Sequence, residues 1–285
     1  MSVALVTDST AQLSAETAAQ RGITVVPLQV VIGAASYDEG PDGGVTPQVL
    51  ADALREWTPV STSRPSPEAI LEAYEKAVAQ GATEIVSVHI SSELSGTFES
   101  AQLAARRSPV PVTLVDTRQV GMGTGYAVLA AADAVDEGAD AAAAGAAARS
   151  RAEATTSLFY VDTLEYLRRG GRMGAAAALI GSALAVKPIL RVDKGRIGSF
   201  EKVRTSAKAL SRLEELAVEA AGDSEVEVAV AHLASPDRAE QLAARLGSRL
   251  EGSLGEREVS VGEIGAVLGA HVGPGMVAVA VARRS

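Results

Sequence analysis

The 285-residue sequence contains no cysteine, which excludes disulfides, thiol catalysis and cysteine-ligated metal sites. Aromatic residues make up only 3% of it, so its core must be built mainly from Ala, Val, Leu and Ile. Basic residues are outnumbered, since 26 Lys and Arg stand against 35 Asp and Glu for a formal net charge of −9. Nucleic acids require a concentrated basic surface, so we do not expect a nucleic-acid partner.

Long hydrophobic runs are also missing. The most apolar stretch, residues 175–190, is interrupted by Gly181, Lys187 and Pro188 and is too short to cross a bilayer. The first residues lack a basic segment followed by a long apolar one, so we expect no signal peptide and a cytoplasmic protein. No histidine pair has metal-ligand spacing, and we expect neither a metal nor a cofactor.

Short β-branched runs alternate with helical patterns in the first half of the chain. Strand-like runs at 3–7, 84–90 and 112–115 are each followed by a polar loop and a helix. This cycle predicts a parallel sheet with helices on its faces. Residues 23–32 are predicted to form one strand, and residues 33–44 a glycine-rich loop.

The second half is predicted to be a mixed α/β domain. Its runs at 187–192 and 197–203 flank Asp193-Lys194-Gly195-Arg196, which is a β-hairpin signature. The length favours two domains, and we place them at residues 1–155 and 156–285.

Polar loops at strand ends are the candidate binding elements, because open parallel sheets bind ligands beyond the carboxyl ends of their strands. They are Asp8-Ser9-Thr10, Thr62-Ser63-Arg64-Pro65-Ser66, predicted as a turn, and the segment from Ser91 to Thr97. The third loop places four hydroxyls and Gly96 before a helix, so it is either an anion site or a helix cap. Asp8, Ser9, Ser63 and Ser92 are further pocket candidates.

Two other features have ordinary structural interpretations. Residues 121–125 alternate glycine with other residues like a dinucleotide loop, but Tyr126 stands where the third glycine is needed, so we do not expect NAD. His89 and His232 lie in strand patterns and are predicted to be core or edge residues. His271 precedes a Gly-Pro-Gly turn, where it has either a structural or a binding role.

Six motifs in order resemble the DegV family of bacterial lipid-binding proteins and span almost the whole chain. They are Val6-Thr7-Asp8-Ser9-Thr10, Thr62-Ser63-Arg64-Pro65-Ser66, Ile90-Ser91-Ser92-Glu93-Leu94-Ser95-Gly96-Thr97-Phe98, Leu164-Glu165-Tyr166-Leu167-Arg168-Arg169-Gly170-Gly171-Arg172, Lys187-Pro188-Ile189-Leu190 and His271-Val272-Gly273-Pro274-Gly275.

The resemblance implies an α/β fold of two domains, a three-layer α/β/α parallel-sheet domain and a two-layer α/β domain with a mixed sheet. It implies a long-chain fatty acid as the ligand, held between and within the domains. It also implies a separate partner, a dihydroxyacetone-kinase-like fatty acid kinase that phosphorylates the carboxylate for phospholipid synthesis. The chain would then be a substrate carrier and not an enzyme, with at most transient membrane contact.

The resemblance also implies roles for individual residues. Thr62 and Ser95 match the hydroxyls that hold the fatty-acid carboxylate, the Gly96 backbone N–H assists them, and His271 matches a histidine near that carboxylate.

Three arginines come with the same resemblance. Arg172 and Arg204 match exposed basic positions linked to phosphate handling, or to contact with the kinase or membrane, and a solvated surface is the alternative for both. Arg64 stands where other members often carry Gln, which adds a cation near the site.

Two other functions remain open from the sequence. Ser95 or Ser92 could form a nucleophilic triad with His271 and Asp8, although the Gly-x-Ser-x-Gly elbow is missing at those serines. The other alternative is a regulatory or interaction protein that keeps a vestigial lipid site.

Overall fold

The computed structural model describes residues 2–40, 44–174 and 187–284. Most of the interrupted apolar stretch, residues 175–186, lies outside these ranges. The strands are β1 (Val3–Asp8), β2 (Ile23–Val26), β3 (Gln29–Ile32), β4 (Ala35–Asp38), β5 (Val60–Ser63), β6 (Glu84–His89), β7 (Val112–Asp116), β8 (Thr155–Tyr160), β9 (Lys187–Asp193), β10 (Arg196–Val203), β11 (Val226–His232), β12 (Ser260–Glu263) and β13 (Val277–Arg283). The helices are α1 (Ala15–Gln20), α2 (Pro47–Arg55), α3 (Pro67–Ala79), α4 (Thr97–Ala105), α5 (Met122–Asp136), α6 (Ala141–Glu153), α7 (Glu165–Arg169), α8 (Ser206–Ala221), α9 (Pro236–Arg249), α10 (Glu251–Leu254) and α11 (Ala266–Val272).

A parallel sheet of order β2-β1-β6-β7 forms the centre of the first half. The strands β1 and β6 are mostly buried, and helices cover both faces of the sheet, as is usual for parallel sheets. On one face Val6 and Ile85 pack with Tyr74 of α3, and on the other Val86 packs with Val128 of α5. The predicted three-layer arrangement is confirmed.

A small antiparallel sheet of order β4-β3-β5 was not predicted. The run 23–32 is predicted to form one strand, but it divides at Pro27 into β2 and β3, which belong to different sheets. Proline has no N–H to donate and interrupts a ladder. Residues 33–44 are predicted to be a loop and residues 61–66 a turn, but β4 lies within the first range and β5 overlaps the second. The exposed polar side chains of these strands obscure the strand pattern in the sequence.

The second large sheet has the order β10-β9-β8-β13-β11-β12. It is mixed, as expected, since β11 and β12 are parallel and the other neighbours are antiparallel. The predicted β9–β10 hairpin is confirmed, with left-handed backbone at Lys194 (φ 49°) and Gly195 (φ 83°), as a tight two-residue turn requires.

One core cluster joins the two halves of the chain. Leu28 and Leu50 from the first half pack with Phe159, Leu190 and Met276 from the second. The small sheet and α2 therefore lie against the second large sheet. The chain passes from α6 into β8 near residue 155, and the boundary placed there remains a prediction.

Candidate functional site

A cavity of about 370 Å³ is lined by residues from both halves of the chain. This volume lies within the range of roughly 300–1,000 Å³ typical of small-molecule sites. Most of its lining is apolar. The polar side chains that contribute to it are Thr10, Gln12, Thr62, Ser63, Arg64, Ser95, Ser157, Arg172 and His271.

Thr62 and His271 meet at this cavity although they are 209 positions apart in sequence. Thr62 lies on β5 and His271 in the last turn of α11, and the Thr62 Oγ1 to His271 Nε2 distance is 2.9 Å. Thr62 was expected in a loop beyond the parallel sheet. It lies instead on a strand of the unpredicted small sheet, which brings it to the cavity.

The first turn of α11 is held by two side chains from the first half. The Gly265 backbone N–H donates to Gln12 Oε1 at 2.8 Å, and the Val267 N–H donates to Glu39 Oε1 at 2.8 Å. Burial raises the pKa of the Glu39 carboxyl, which also accepts a hydrogen bond from Ser9. These contacts fix the helix that carries His271.

His271 is neutral at physiological pH. Burial, with a further contribution from the Arg172 charge, lowers its pKa from the ordinary 6.5 to about 4. Its Nδ1 is buried without a hydrogen-bond partner in the described part of the chain. Gly170 lies directly against Nδ1 and leaves no room there for a side chain.

This environment favours one tautomer of His271. A buried unpaired N–H is rarer than an unpaired acceptor, and the nearby Arg172 cation favours a lone pair over a proton on the ring. We therefore assign the proton to Nε2, which then donates to Thr62 Oγ1. The Thr62 hydroxyl hydrogen is left free to donate to a ligand.

Ser95 and Gly96 line the same cavity just before α4. The Ser95 hydroxyl is 2.8 Å from Thr97 Oγ1. Arg64 lies across Gly96, where its Nη1 donates to the Gly96 carbonyl at 3.0 Å and to Glu99 at 2.6 Å. A side chain at Gly96 would overlap Arg64, so Gly96 permits this close approach. Arg64 thus reaches the cavity while pairing with Glu99.

The other two arginines differ in position. Arg204 is exposed just after β10, as expected. Arg172 was also expected to be exposed, but it is half-buried at the cavity, where its Nε donates to the Leu94 carbonyl at 3.2 Å. Its position between the Ser95 loop and His271 explains the difference. Ser63 lines the cavity as well.

Three of the pocket candidates do not reach the cavity. Asp8 is fully buried and accepts from His89 Nδ1 at 2.9 Å, Ser9 donates to Glu39 at 2.6 Å, and Ser92 donates to Asp116 at 2.6 Å. Their polar groups are used in holding neighbouring segments of the chain together. The triad of serine, His271 and Asp8 is not assembled.

The glycine-rich segment 121–125 is explained by packing. A Cβ at Gly123 would lie 2.8 Å from Ser157 Oγ, and one at Gly125 would lie 2.5 Å from the Ala11 carbonyl oxygen. These glycines let the start of α5 approach its neighbours closely. Gly121 and Met122 line the cavity opposite the second sheet.

The cavity face of the second sheet was missed by the sequence reasoning. Along β11 and β13, valine alternates with alanine. The valines pack on α8 and α9, while Ala229, Ala231, Ala278 and Ala280 face the cavity. Large residues on one face and small ones on the other are visible in the sequence, and this signal could have located the cavity wall.

Within the described residues, no group of acidic residues and histidines could hold a metal ion. Over the same ranges, no helix combines the length and apolar character needed to cross a membrane.

The fold and the cavity define a class of protein, two α/β units that share an apolar cavity with a polar group of hydroxyls, arginines and a histidine. The family model described as "DegV: Uncharacterised protein, DegV family" matches residues 2–284. A DegV domain-containing protein of Streptomyces coelicolor is 51% identical over 282 residues, covering 99% of each chain. The chain therefore belongs to the DegV family.

Solved structures agree with this assignment. The structure of a DegV family protein from Thermus thermophilus, described by "Fatty Acid Binding", matches with a TM-score of 0.90 at 33% identity and covers 100% of both chains. DegV from Bacillus subtilis, described as a fatty acid binding protein, matches with a TM-score of 0.90 at 31% identity, again over 100% of both chains. The two-domain α/β fold expected from the resemblance is confirmed.

Proposed function

We propose that this protein binds a long-chain fatty acid in the cavity, with the carboxylate at Thr62, Ser95 and His271 and the tail along the alanine face. The observation that carries the proposal is that polar side chains line one part of the cavity wall and apolar ones another. At one region of the wall, Thr62 contacts His271, and Arg172 lies beside His271 and donates to the Leu94 carbonyl next to Ser95. Alanines of β11 and β13 line another region. Fatty acid binding by DegV proteins of similar structure supports it.

The cavity wall meets the two requirements of a fatty acid, an apolar surface for the tail and hydrogen-bond donors for the carboxylate. Burial of the tail contributes about 0.8 kcal/mol for each methylene, so a long chain supplies the driving force. A buried carboxylate is costly unless it is hydrogen-bonded. The free hydrogen of Thr62, the Ser95 hydroxyl and the half-buried Arg172 supply donors and positive charge without a covalent bond.

We further propose that the carboxylate is presented to a separate dihydroxyacetone-kinase-like fatty acid kinase, which forms the acyl phosphate used in phospholipid synthesis. Hydroxyls oriented by a neutral histidine, beside the single arginine Arg172, hold the carboxylate more loosely than a bidentate arginine pair would. Such a head group can be phosphorylated and released. The exposed Arg204 is the residue we assign to the kinase contact or the incoming phosphate.

Mass spectrometry of an organic extract of the purified protein tests the binding step. A fatty acid recovered at about one per chain is the expected result, and it would also identify the preferred tail. An empty extract, together with no rise in melting temperature on adding oleate, would favour a regulatory protein with a vestigial site. Phosphorylation by the purified kinase of fatty acid bound to the protein, compared with free fatty acid, tests the second step.

A further inference from the structure

Ala229, Ala231, Ala278 and Ala280 form two ordered rows on the cavity face of the second sheet. In the antiparallel register, Ala278 lies opposite Ala231 and Phe159, while Ala280 lies opposite Ala229 and Ser157. We call the first set the near row and the second the far row. Two residues along a strand separate them, a distance of about 7 Å.

The near row is the one closer to the polar group. The chain runs from His271 through the Gly273-Pro274-Gly275 turn into Met276 and then β13, so positions along β13 measure depth from the head end. Met276, Ala278 and Ala280 all line the cavity. From Met276 to Ala280 the strand advances by about 14 Å.

The cavity ends at the far row. The next position on the same face of β13, Ala282, does not line the cavity, because Tyr126 of α5 packs against Ala229, Ala280 and Ala282. The Arg151 guanidinium lies 5.8 Å from the centre of the Tyr126 ring and pairs with Glu227, which fixes this closure from behind.

The remaining side of the far end is rigid. Ser157 donates to Gln119 Oε1 at 2.9 Å, and the Gln119 amide donates to the carbonyls of Ala152 and Thr155 at 3.1 and 2.8 Å. Met122 completes the wall from α5. Both polar side chains already have partners here, so this end offers its space to an apolar group.

We infer that the far row acts as a length gauge: Ala229 and Ala280, closed by Tyr126 and Met122, determine how long an acyl chain this protein accepts. This inference rests on the proposed function and adds the residues that select the substrate. The space exists because these positions carry a methyl group, where the opposite face of the same strands carries valine. A larger side chain at the far row takes the place of the last methylenes, and a smaller one at position 122 adds room.

The test is a competition assay with laurate, myristate, palmitate and stearate on the full-length protein. Ala280→Leu should leave laurate affinity within about twofold of the unmodified protein. It should weaken stearate binding by about 15-fold, since the larger side chain displaces about two methylenes and each changes Kd about fourfold. Met122→Ala should shift the preference in the opposite direction. Ala229→Val probes the same row if Ala280→Leu does not fold.

Lys208→Leu provides the matched control, because it adds leucine on the exposed side of α8, away from the cavity. It should leave the order of the four acids unchanged. Equal weakening of all four by Ala280→Leu, or no change in any, would overturn the length gauge while fatty acid binding stands. Failure of the unmodified protein to bind any of the four would overturn the proposed function itself.

Discussion

Two histidines, the fully buried His89 and the partly buried His271, show how differently the same side chain is used in the two halves of the chain. His89 is fully buried in the parallel sheet, where Nδ1 meets Asp8 at 2.9 Å and Nε2 meets Ser87 at 2.7 Å. Tyr74 donates to the same Ser87 hydroxyl at 2.8 Å. His271 has one partner, Thr62, and an unpaired Nδ1 beside Gly170.

This difference in hydrogen bonding distinguishes a histidine with a structural role, His89, from one at a binding site, His271. The His89 network contains serine, histidine and aspartate, yet it is sealed from the cavity and both ring nitrogens are used. Satisfied buried polar networks of this kind make a core unique and rigid. The Thr62–His271 pair in the cavity wall, by contrast, leaves the Thr62 hydroxyl hydrogen available for a ligand.

The largest effect is expected in the sealed network. His89→Leu leaves the buried Asp8 carboxyl without its histidine partner and should lower the free energy of unfolding by about 3–5 kcal/mol. Urea denaturation measures it. Lys76→Ala, at an exposed position of α3 in the same half of the chain, is the control and should stay within about 0.5 kcal/mol. A His89 variant with full stability but no fatty acid binding would reverse the comparison.

The double variant Thr62→Ala with Ser95→Ala addresses the cavity side. It removes two donors to the proposed carboxylate and should weaken binding by about 2–4 kcal/mol, at roughly 1–2 kcal/mol for each hydrogen bond to a charged group. Isothermal titration with palmitate measures the loss. The corresponding alcohol, hexadecanol, should bind both proteins almost equally. Undiminished palmitate affinity would show that the carboxylate is held elsewhere.

The low pKa of His271 predicts a smaller, pH-dependent effect. The unfolded chain takes up a proton on this ring below about pH 6.5, whereas the folded protein does so only near pH 4. Stability of the empty protein is therefore unaffected above that window, falls as the pH drops through it, and levels off below it.

His271→Gln removes this contribution. Between neutral pH and pH 4 the variant should lose on the order of 2 kcal/mol less stability than the unmodified protein, with other titrating groups cancelling in the comparison. Parallel pH series of chemical denaturation measure the difference. Identical pH profiles would mean that His271 is more exposed to water than its surroundings imply.

Arg204→Ala should have the smallest effect on binding. Its side chain is exposed and lies outside the cavity, so palmitate affinity should stay within about twofold. Phosphorylation of the bound fatty acid by the kinase should fall several-fold if Arg204 meets the kinase or the phosphate. Equal loss of binding and phosphorylation would make Arg204 a structural residue.

Sequence periodicity was sufficient for most of the fold. Short β-branched runs such as β6, which is buried over most of its length, and the Asp193-Lys194-Gly195-Arg196 turn carry local signals that a sequence displays directly. The sheet β4-β3-β5 could not be predicted in this way, because the exposed polar sequences of β4 and β5 resemble loops.

The site was predictable only in part, because it is assembled from segments that are distant in sequence. Hydroxyl-rich loops point to Thr62 and Ser95, but their meeting with His271 and Arg172 depends on contacts between distant segments. Asp8 shows the opposite case. Its carboxyl group lies at a strand end and was expected to be available to a ligand, but it is paired with His89. No local pattern distinguishes a polar group that faces a cavity from one that faces its neighbours.

The shared cavity has a consequence for the turnover of the protein. A ligand that bridges the first half at Met122 and the second at Ala280 completes the hydrophobic core, so it stabilises only the folded chain. At a free concentration 100 times Kd, that linkage adds about 2.7 kcal/mol. Proteases that sample the opened chain would then degrade empty molecules about 100-fold faster than loaded ones. The abundance of the protein would follow the supply of its ligand without any separate regulator.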